Sequence, residues 1–210
     1  MKKGLSLLII ALMLGGSVSV FAAVSDLLSS INYSANFGLV TGSSSWAEAS
    51  ASTTDTDSNK LGFHAVAQGT YDINESFAAN LGMGYKALNS TQTEGSTDTV
   101  HSSNYIYIPA TVSYKVPYEW ANLNFSVNAG GYGSYLLSAE SKAGDNDAVD
   151  AKDSISAGDI GATIGASITA NSPISQLQAI TFSASYDHGL RDIATDVKNQ
   201  NFSFSLSTQF

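Results

Sequence analysis

The sequence predicts an all-β protein: an eight-stranded antiparallel transmembrane β-barrel, an up-and-down meander, preceded by a cleaved signal peptide. Three observations carry this. Eight segments alternate apolar and polar side chains with period two, the period of a strand. Each runs for about ten residues, the length that crosses a bilayer when tilted. Their polar positions hold Ser, Thr, Asn and Gly with few charges, where a sheet facing water would carry charge to stay soluble.

The composition agrees. Charged residues are 13% of the 210, against about 25% in ordinary domains. There is no cysteine, which excludes a disulfide scaffold, thiolate metal sites and a lipidated N-terminal Cys. At the N-terminus, Met1-Lys2-Lys3 precedes an apolar run from Leu5 to Leu14 and a small-residue stretch ending at Ala22. That is the build of a secretory signal. The alternative, an uncleaved anchor, wants roughly 20 apolar residues. Residues 1–22 are therefore read as a signal peptide and 23–210 as the barrel domain. Removing Lys2 and Lys3 takes the net charge from -9 to -11. Such an acidic, exported chain has nothing basic with which to bind nucleic acid.

The strands follow in order, apolar parity first. Ile31, Tyr33, Phe37 and Leu39 face away from Asn32, Ser34 and Asn36; Leu61, Phe63 and Tyr71 from His64, Gln68 and Thr70. Phe77, Leu81, Met83 and Tyr85 oppose Asn80, Gly82, Gly84 and Lys86. The fourth strand sets Ile106, Ile108, Val112 and Tyr114 against Tyr105, Tyr107, Thr111, Ser113 and Lys115. The fifth sets Leu123, Phe125 and Val127 against Asn124, Ser126 and Asn128, and the sixth Ile160, Ile164 and Ile168 against Asp159, Thr163 and Ser167. Phe182 and Tyr186 lie opposite Ser183, Ser185 and Asp187, and the closing strand alternates Phe202, Phe204, Leu206 and Phe210 with Asn201, Ser203, Ser205 and Ser207. A secreted soluble sandwich would put bulky branched residues in its core and charge on its surface. Here the small polar face suits the narrow interior of an eight-stranded barrel, which side chains just fill, and the apolar face suits lipid. Pro109 removes one ladder donor in mid-strand and is read as a structural bulge.

The gaps 43–59, 72–76, 89–103, 116–122, 138–156, 170–179 and 191–199 run long, short, long, short, long, short, medium. Outer-membrane barrels have short periplasmic turns and longer outer loops, which puts both termini in the periplasm. Charges in 43–59, 89–103 and 138–156 sum to -3, -2 and -3. Solvation explains them more simply than a dedicated cation site. Aromatics gather near strand ends, at Tyr71, Phe77, Tyr114, Tyr118, Trp120 and Phe210, where amphipathic rings suit the lipid–water boundary.

Several of these stretches are similar to a known family. "NYIYIPATVSYKVPY" (104–118) resembles the fourth strand of the small outer-membrane β-barrel proteins of the porin family, with Lys115 following Tyr114. "AGDIGATIGASI" resembles the family's sixth strand through Asp159, Gly161 and Gly165, and "YDHGLRDI" (186–193) the end of its seventh. The alternating last strand ending in Phe resembles the signal by which the barrel assembly machinery recognises such proteins, which carries over to Phe202, Phe204, Leu206 and Phe210. The resemblance implies a bacterial outer-membrane location and outer-membrane lipid as surroundings.

Chemistry is sparse. The charges expected in the lumen are Lys86, Lys115, Asp159, Asp187 and Arg191, read as an internal ion-pair plug, with a selectivity lining as the alternative. "HSSN" (101–104) resembles the His-x-Ser-Asn motif of outer-membrane lipid A deacylases. It departs from that motif in the preceding residues, Thr99-Val100, and the following ones, Tyr105-Ile106. No acid lies on the adjoining strand, since Glu119 falls in the next turn. No catalytic, metal or cofactor site is expected. The expected protein is a monomer with a structural or surface-interaction role through acidic extracellular loops. A small-solute porin and a deacylase-like enzyme are the alternatives.

Overall fold

A computed structural model describes residues 29–44, 56–94, 97–120, 122–144, 146–171, 178–194 and 197–209. The wall strands are β1 (Ile31–Ser44), β2 (Thr56–Asp72), β3 (Phe77–Glu94), β4 (Thr97–Trp120), β5 (Leu123–Ala143), β7 (Gly158–Asn171), β8 (Ala179–Gly189) and β9 (Asn199–Gln209). A two-residue strand, β6 (Val149–Asp150), pairs with the upper end of β5 and stands outside the wall. Every wall strand is antiparallel to its sequence neighbour, and β1 pairs with β9 from Ser34↔Gln209 to Ser44↔Asn199. The sheet therefore closes as an eight-stranded meander with no wall edge left unpaired. Closure satisfies the backbone in hydrocarbon, where an open edge would leave polar groups without partners.

The two faces are inverted relative to a water-soluble protein. Phe37, Leu81 and Met83 expose 63%, 62% and 61% of their surface, while Lys86, Asp159 and Asp187 expose 3% or less. Rings on the outer face pack along the wall, Tyr85 and Tyr186 half-buried among them: Phe77 against Tyr114 at 5.2 Å, Phe63 against Tyr85 at 5.5 Å, and Tyr186 against Phe202 at 4.7 Å between centroids. Such cross-strand aromatic pairs tie neighbouring strands together. Among the described residues no helix is long and apolar enough to cross a membrane; the crossing is made by strands.

Strand lengths differ from the expectation of about ten residues each. β3, β4 and β5 run for 18, 24 and 21 residues. In the stretch 89–103, read from sequence as a loop, the described residues extend the ladder between β3 and β4 out to Glu94↔Thr97. The stretch 138–156 holds the end of β5, then β6 and a 3-10 turn (Lys152–Ser154). The reason is chemical. Above the lipid both faces are wet, so the apolar alternation stops, but Thr, Ser and Val keep their fit to a pleated ladder. Thr91↔Val100 and Thr93↔Asp98 continue the register, and Thr93 Oγ1 donates to Asp98 Oδ1 at 2.8 Å. The opposite ends are short: residues 73–76 between β2 and β3, and two residues between β4 and β5, where Asn122 takes φ 64°. Asn tolerates that left-handed conformation better than other non-glycine residues. By the length rule for outer-membrane barrels this is the periplasmic end. The proposed signal peptide, residues 1–22, lies outside the described residues.

Candidate functional site

The inward positions divide the lumen into three levels. At mid-height stands a charged plug. The Lys86 ammonium on β3 donates to Asp187 Oδ2 on β8 and to Asn201 Oδ1 on β9, each at 2.5 Å. It lies 4.3 Å from the centre of the Tyr107 ring, and the Tyr107 hydroxyl donates to the same Asp187 oxygen at 2.9 Å. Tyr132 packs on Tyr107 at 5.5 Å and donates to Asp159 Oδ2 at 3.0 Å. Asn199 donates to that oxygen too, at 3.0 Å. A buried ion pair is held where hydrogen bonds support it. Asn201 and Tyr107 bond the pair itself, Tyr132 and Asn199 bond the neighbouring Asp159, and among the described residues Oδ1 of each aspartate finds no partner. The plug joins β3, β4, β5, β7, β8 and β9 across the barrel.

Above it lies an apolar cap. Tyr105, Leu136, Ala139, Ile155, Ile193 and Val197 form one buried cluster, with Leu88, Ala151 and Ala194 packed against it. Ile155 follows the 3-10 turn, and Ile193 accepts backbone bonds from Ser156 at 2.6 Å and donates to Val197 at 2.7 Å. The segments after β5 and β8 thereby fold over the barrel mouth and are tied to each other. Below the plug the lumen widens into a cavity of about 530 Å3 lined mainly by Ser, Thr, Asn and Gln. It reaches the periplasmic rim, where Lys115 pairs with Asp72 at 2.8 Å, both about half exposed.

The predicted lumen charges therefore fall in three places. Lys86, Asp159 and Asp187 meet in the plug. Lys115 lies at the periplasmic mouth. Arg191 is exposed, two residues beyond the end of β8, and so stands outside the lumen: its inward parity belongs to a strand that has already ended at Gly189. Phe202, Phe204 and Leu206 are on the outer face of β9, about half exposed; Phe210 lies outside the described residues. Pro109 is inward, lining the cavity, and interrupts no register between β4 and β5.

Asn199 and Asn201 escaped the sequence reading as plug members, although Asn201 stands on the inward parity. Ile155, Ile193 and Val197 escaped it because they lie in loops, where apolar residues carry no period.

In the "HSSN" segment, His101 Nδ1 lies 2.9 Å from the Ser141 hydroxyl on β5. His101 thus partners a serine outside the motif, on the extension of the wall. Contrary to the sequence expectation, the adjoining β5 does carry an acid, Glu140, opposite Ser102. Glu119 lies in β4 and not in a turn, because the ladder runs past the apolar alternation at both ends. No cluster of three or more His, Cys, Asp or Glu able to hold a metal occurs among the described residues.

A closed strand meander with a lipid-facing apolar wall and a polar interior defines an integral membrane β-barrel, and its short-turn and long-strand ends are those of the bacterial outer membrane. The model of the "Outer membrane protein beta-barrel domain" family matches residues 21–195, and the chain belongs to that family. It is a protein of the bacterial outer membrane. Among solved structures it is similar to Neisserial surface protein A, at 14% identity over 86% of this chain and 96% of that one, with a TM-score of 0.50. OprG from Pseudomonas aeruginosa matches at 8% identity over 85% and 95%, TM-score 0.46. Ail, the attachment invasion locus protein of Yersinia pestis, crystallised with a heparin analogue, matches at 14% over 86% and 99%, TM-score 0.44. At these identities the likeness is one of fold. No curated protein matches the chain.

Proposed function

We propose that this barrel neither conducts solutes nor catalyses a reaction, and that it serves the envelope as a structural protein or through contacts made by its acidic extracellular loops. The observation that supports this is the double seal of the lumen: the Lys86–Asp187 plug with its tyrosines and asparagines, and the apolar cap above it. The plugged lumen argues against the porin alternative, and His101 pairing with Ser141, and not with Ser103 of the motif, argues against the motif-based deacylase alternative. In a planar bilayer the purified protein is expected to give no stable ohmic steps. Reproducible nanosiemens-scale channels would replace this reading with the small-solute porin.

The same reading holds the protein to be an exported monomer surrounded by outer-membrane lipid, with Lys2 and Lys3 removed along with residues 1–22. An epitope inserted between β1 and β2 should be accessible to antibody on intact cells, and one in 73–76 should not. The reverse pattern would turn the barrel upside down.

The outer face of β9 supports one further element of this reading, recognition of Phe202, Phe204, Leu206 and Phe210 by the assembly machinery. If Phe210 is read during insertion, Phe210→Ala reduces surface levels and leads to periplasmic degradation, yet refolds in detergent almost as well as the parent. Normal surface levels would leave Phe210 as an interface residue alone.

A further inference from the structure

The cavity beneath the plug is a cup, closed above and open to the periplasm, and its interior carries no spare charge. At its ceiling Lys86 is already bonded to Asp187 and Asn201. At its mouth Lys115 is already paired with Asp72. Between the two, the lining is mostly hydroxyl and amide, with His64, Val66 and Pro109 among them. At about 530 Å3 the cup falls within the 300–1,000 Å3 of ordinary small-molecule sites.

Its walls differ. On β1 to β4 the polar groups are tied to one another: Asn36 donates to Gln68 at 3.5 Å, Thr70 to Asn80 at 2.9 Å, and Asn80 to Ser113 at 2.7 Å. On β5, β7 and β8, Ser126 bonds Ser167 at 2.7 Å and Thr169 bonds Thr181 at 2.8 Å. The facing wall of β8 and β9 presents Ser183, Ser185, Ser203, Ser205 and Ser207 to the same space, and these hydroxyls make no side-chain hydrogen bond to another described residue. Each can donate one bond and accept two, and each faces the cavity, where a solute hydroxyl could take the place of water. Ser203 and Ser207 are buried.

We propose that this cup is a binding site for a small, neutral, polyhydroxylated molecule of the mono- or disaccharide class, entering from the periplasm. The fixed amide network on β1 to β4 orients one face of the ligand. The serines of β8 and β9 exchange donor and acceptor roles with its hydroxyls. Pro109, also in the lining, offers apolar surface to its C–H face. Ions are disfavoured, because every formal charge bordering the cup already has a partner and a charged ligand would be desolvated without compensation. The site rests on the sealed-lumen reading, since in a channel open at both ends the same space would be a path and not a cup closed above.

The test uses the full barrel refolded in a zwitterionic detergent, because sugar-headed detergents would compete. Maltose and N-acetylglucosamine are titrated while backbone amide shifts are followed by NMR, with choline and inorganic phosphate as charged probes. Saturable shifts confined to β8 and β9 lumen positions are expected for a saccharide and not for the charged probes. Ser203→Val/Ser207→Val should weaken binding about tenfold, the loss of two modest hydrogen bonds, while keeping the heat-dependent gel mobility of a folded barrel. If that variant does not fold, Ser183→Ala/Ser207→Ala takes its place. No saturation by either saccharide, equal binding of phosphate or choline, or unchanged affinity in a folded serine variant would each overturn the site. Conductance of the same preparation separates the two ideas. Failed binding in a silent barrel removes the cup alone, whereas channel steps remove the sealed lumen on which it rests.

Discussion

Lys86→Met is expected to destabilise the folded barrel by about 3–5 kcal/mol, the cost of leaving one member of a buried ion pair without its partner. Asp187 would keep only the Tyr107 hydrogen bond in an interior that exposes 1% of its surface. Asn201 Oδ1 and the face of the Tyr107 ring would also lose their cation. The double variant Lys86→Met/Asp187→Leu removes both charges and should recover most of the loss, because well-packed apolar replacements of a buried pair are often neutral or stabilising. Urea unfolding of the single and double variants in lipid vesicles measures the difference. A single-variant cost below about 1 kcal/mol, the range of a surface ion pair, would mean that the plug is solvated and does not hold the barrel together.

Gly84→Ala is expected to cost about 3 kcal/mol, the upper end of ordinary overpacking. A methyl group built at Gly84 would meet the Ala65 carbonyl and approach Val66 Cα to 2.6 Å. Those atoms are the backbone of β2, which cannot swing aside as a side-chain tip would. Gly84 pairs with both Val66 and Tyr107, so relief would have to move β2 or β4 beneath the plug. Gly133 provides the control. Nothing lies within 4 Å of a methyl group there, and its position between Ile108 and Ile160 is on the lipid-facing parity. Gly133→Ala should stay within about 0.5 kcal/mol of the parent, as surface substitutions do. Equal losses at the two sites would show that glycine matters here through the unfolded chain and not through close strand approach.

The alternation of Phe202, Phe204 and Leu206 with Asn201, Ser203 and Ser205 was enough by itself to determine that the last strand has one greasy and one wet face. The same held for seven more segments, because side-chain parity is set by each residue's immediate neighbours along the chain. Once the small, uncharged face was assigned to the inside, the closed barrel, its lipid-facing wall and the inward placement of Lys86, Asp159 and Asp187 all followed. Where strands end was less legible. Beyond the bilayer the apolar signal disappears while the ladder continues, so β3 and β4 outran the pattern that had revealed them. Arg191 was misplaced for the related reason that parity says nothing after a strand stops.

Which inward residues meet was decided only by the tertiary structure. Lys86 lies 101 residues from Asp187 and 115 from Asn201. Their encounter depends on the stagger between strands and the tilt at which the sheet closes, quantities shared by the whole barrel and carried by no single segment. The cap over the mouth likewise depends on two distant loops folding onto Tyr105 and Leu136. Local periodicity thus determined the solvent each face would meet, and closure of the sheet determined the partners each buried group would find.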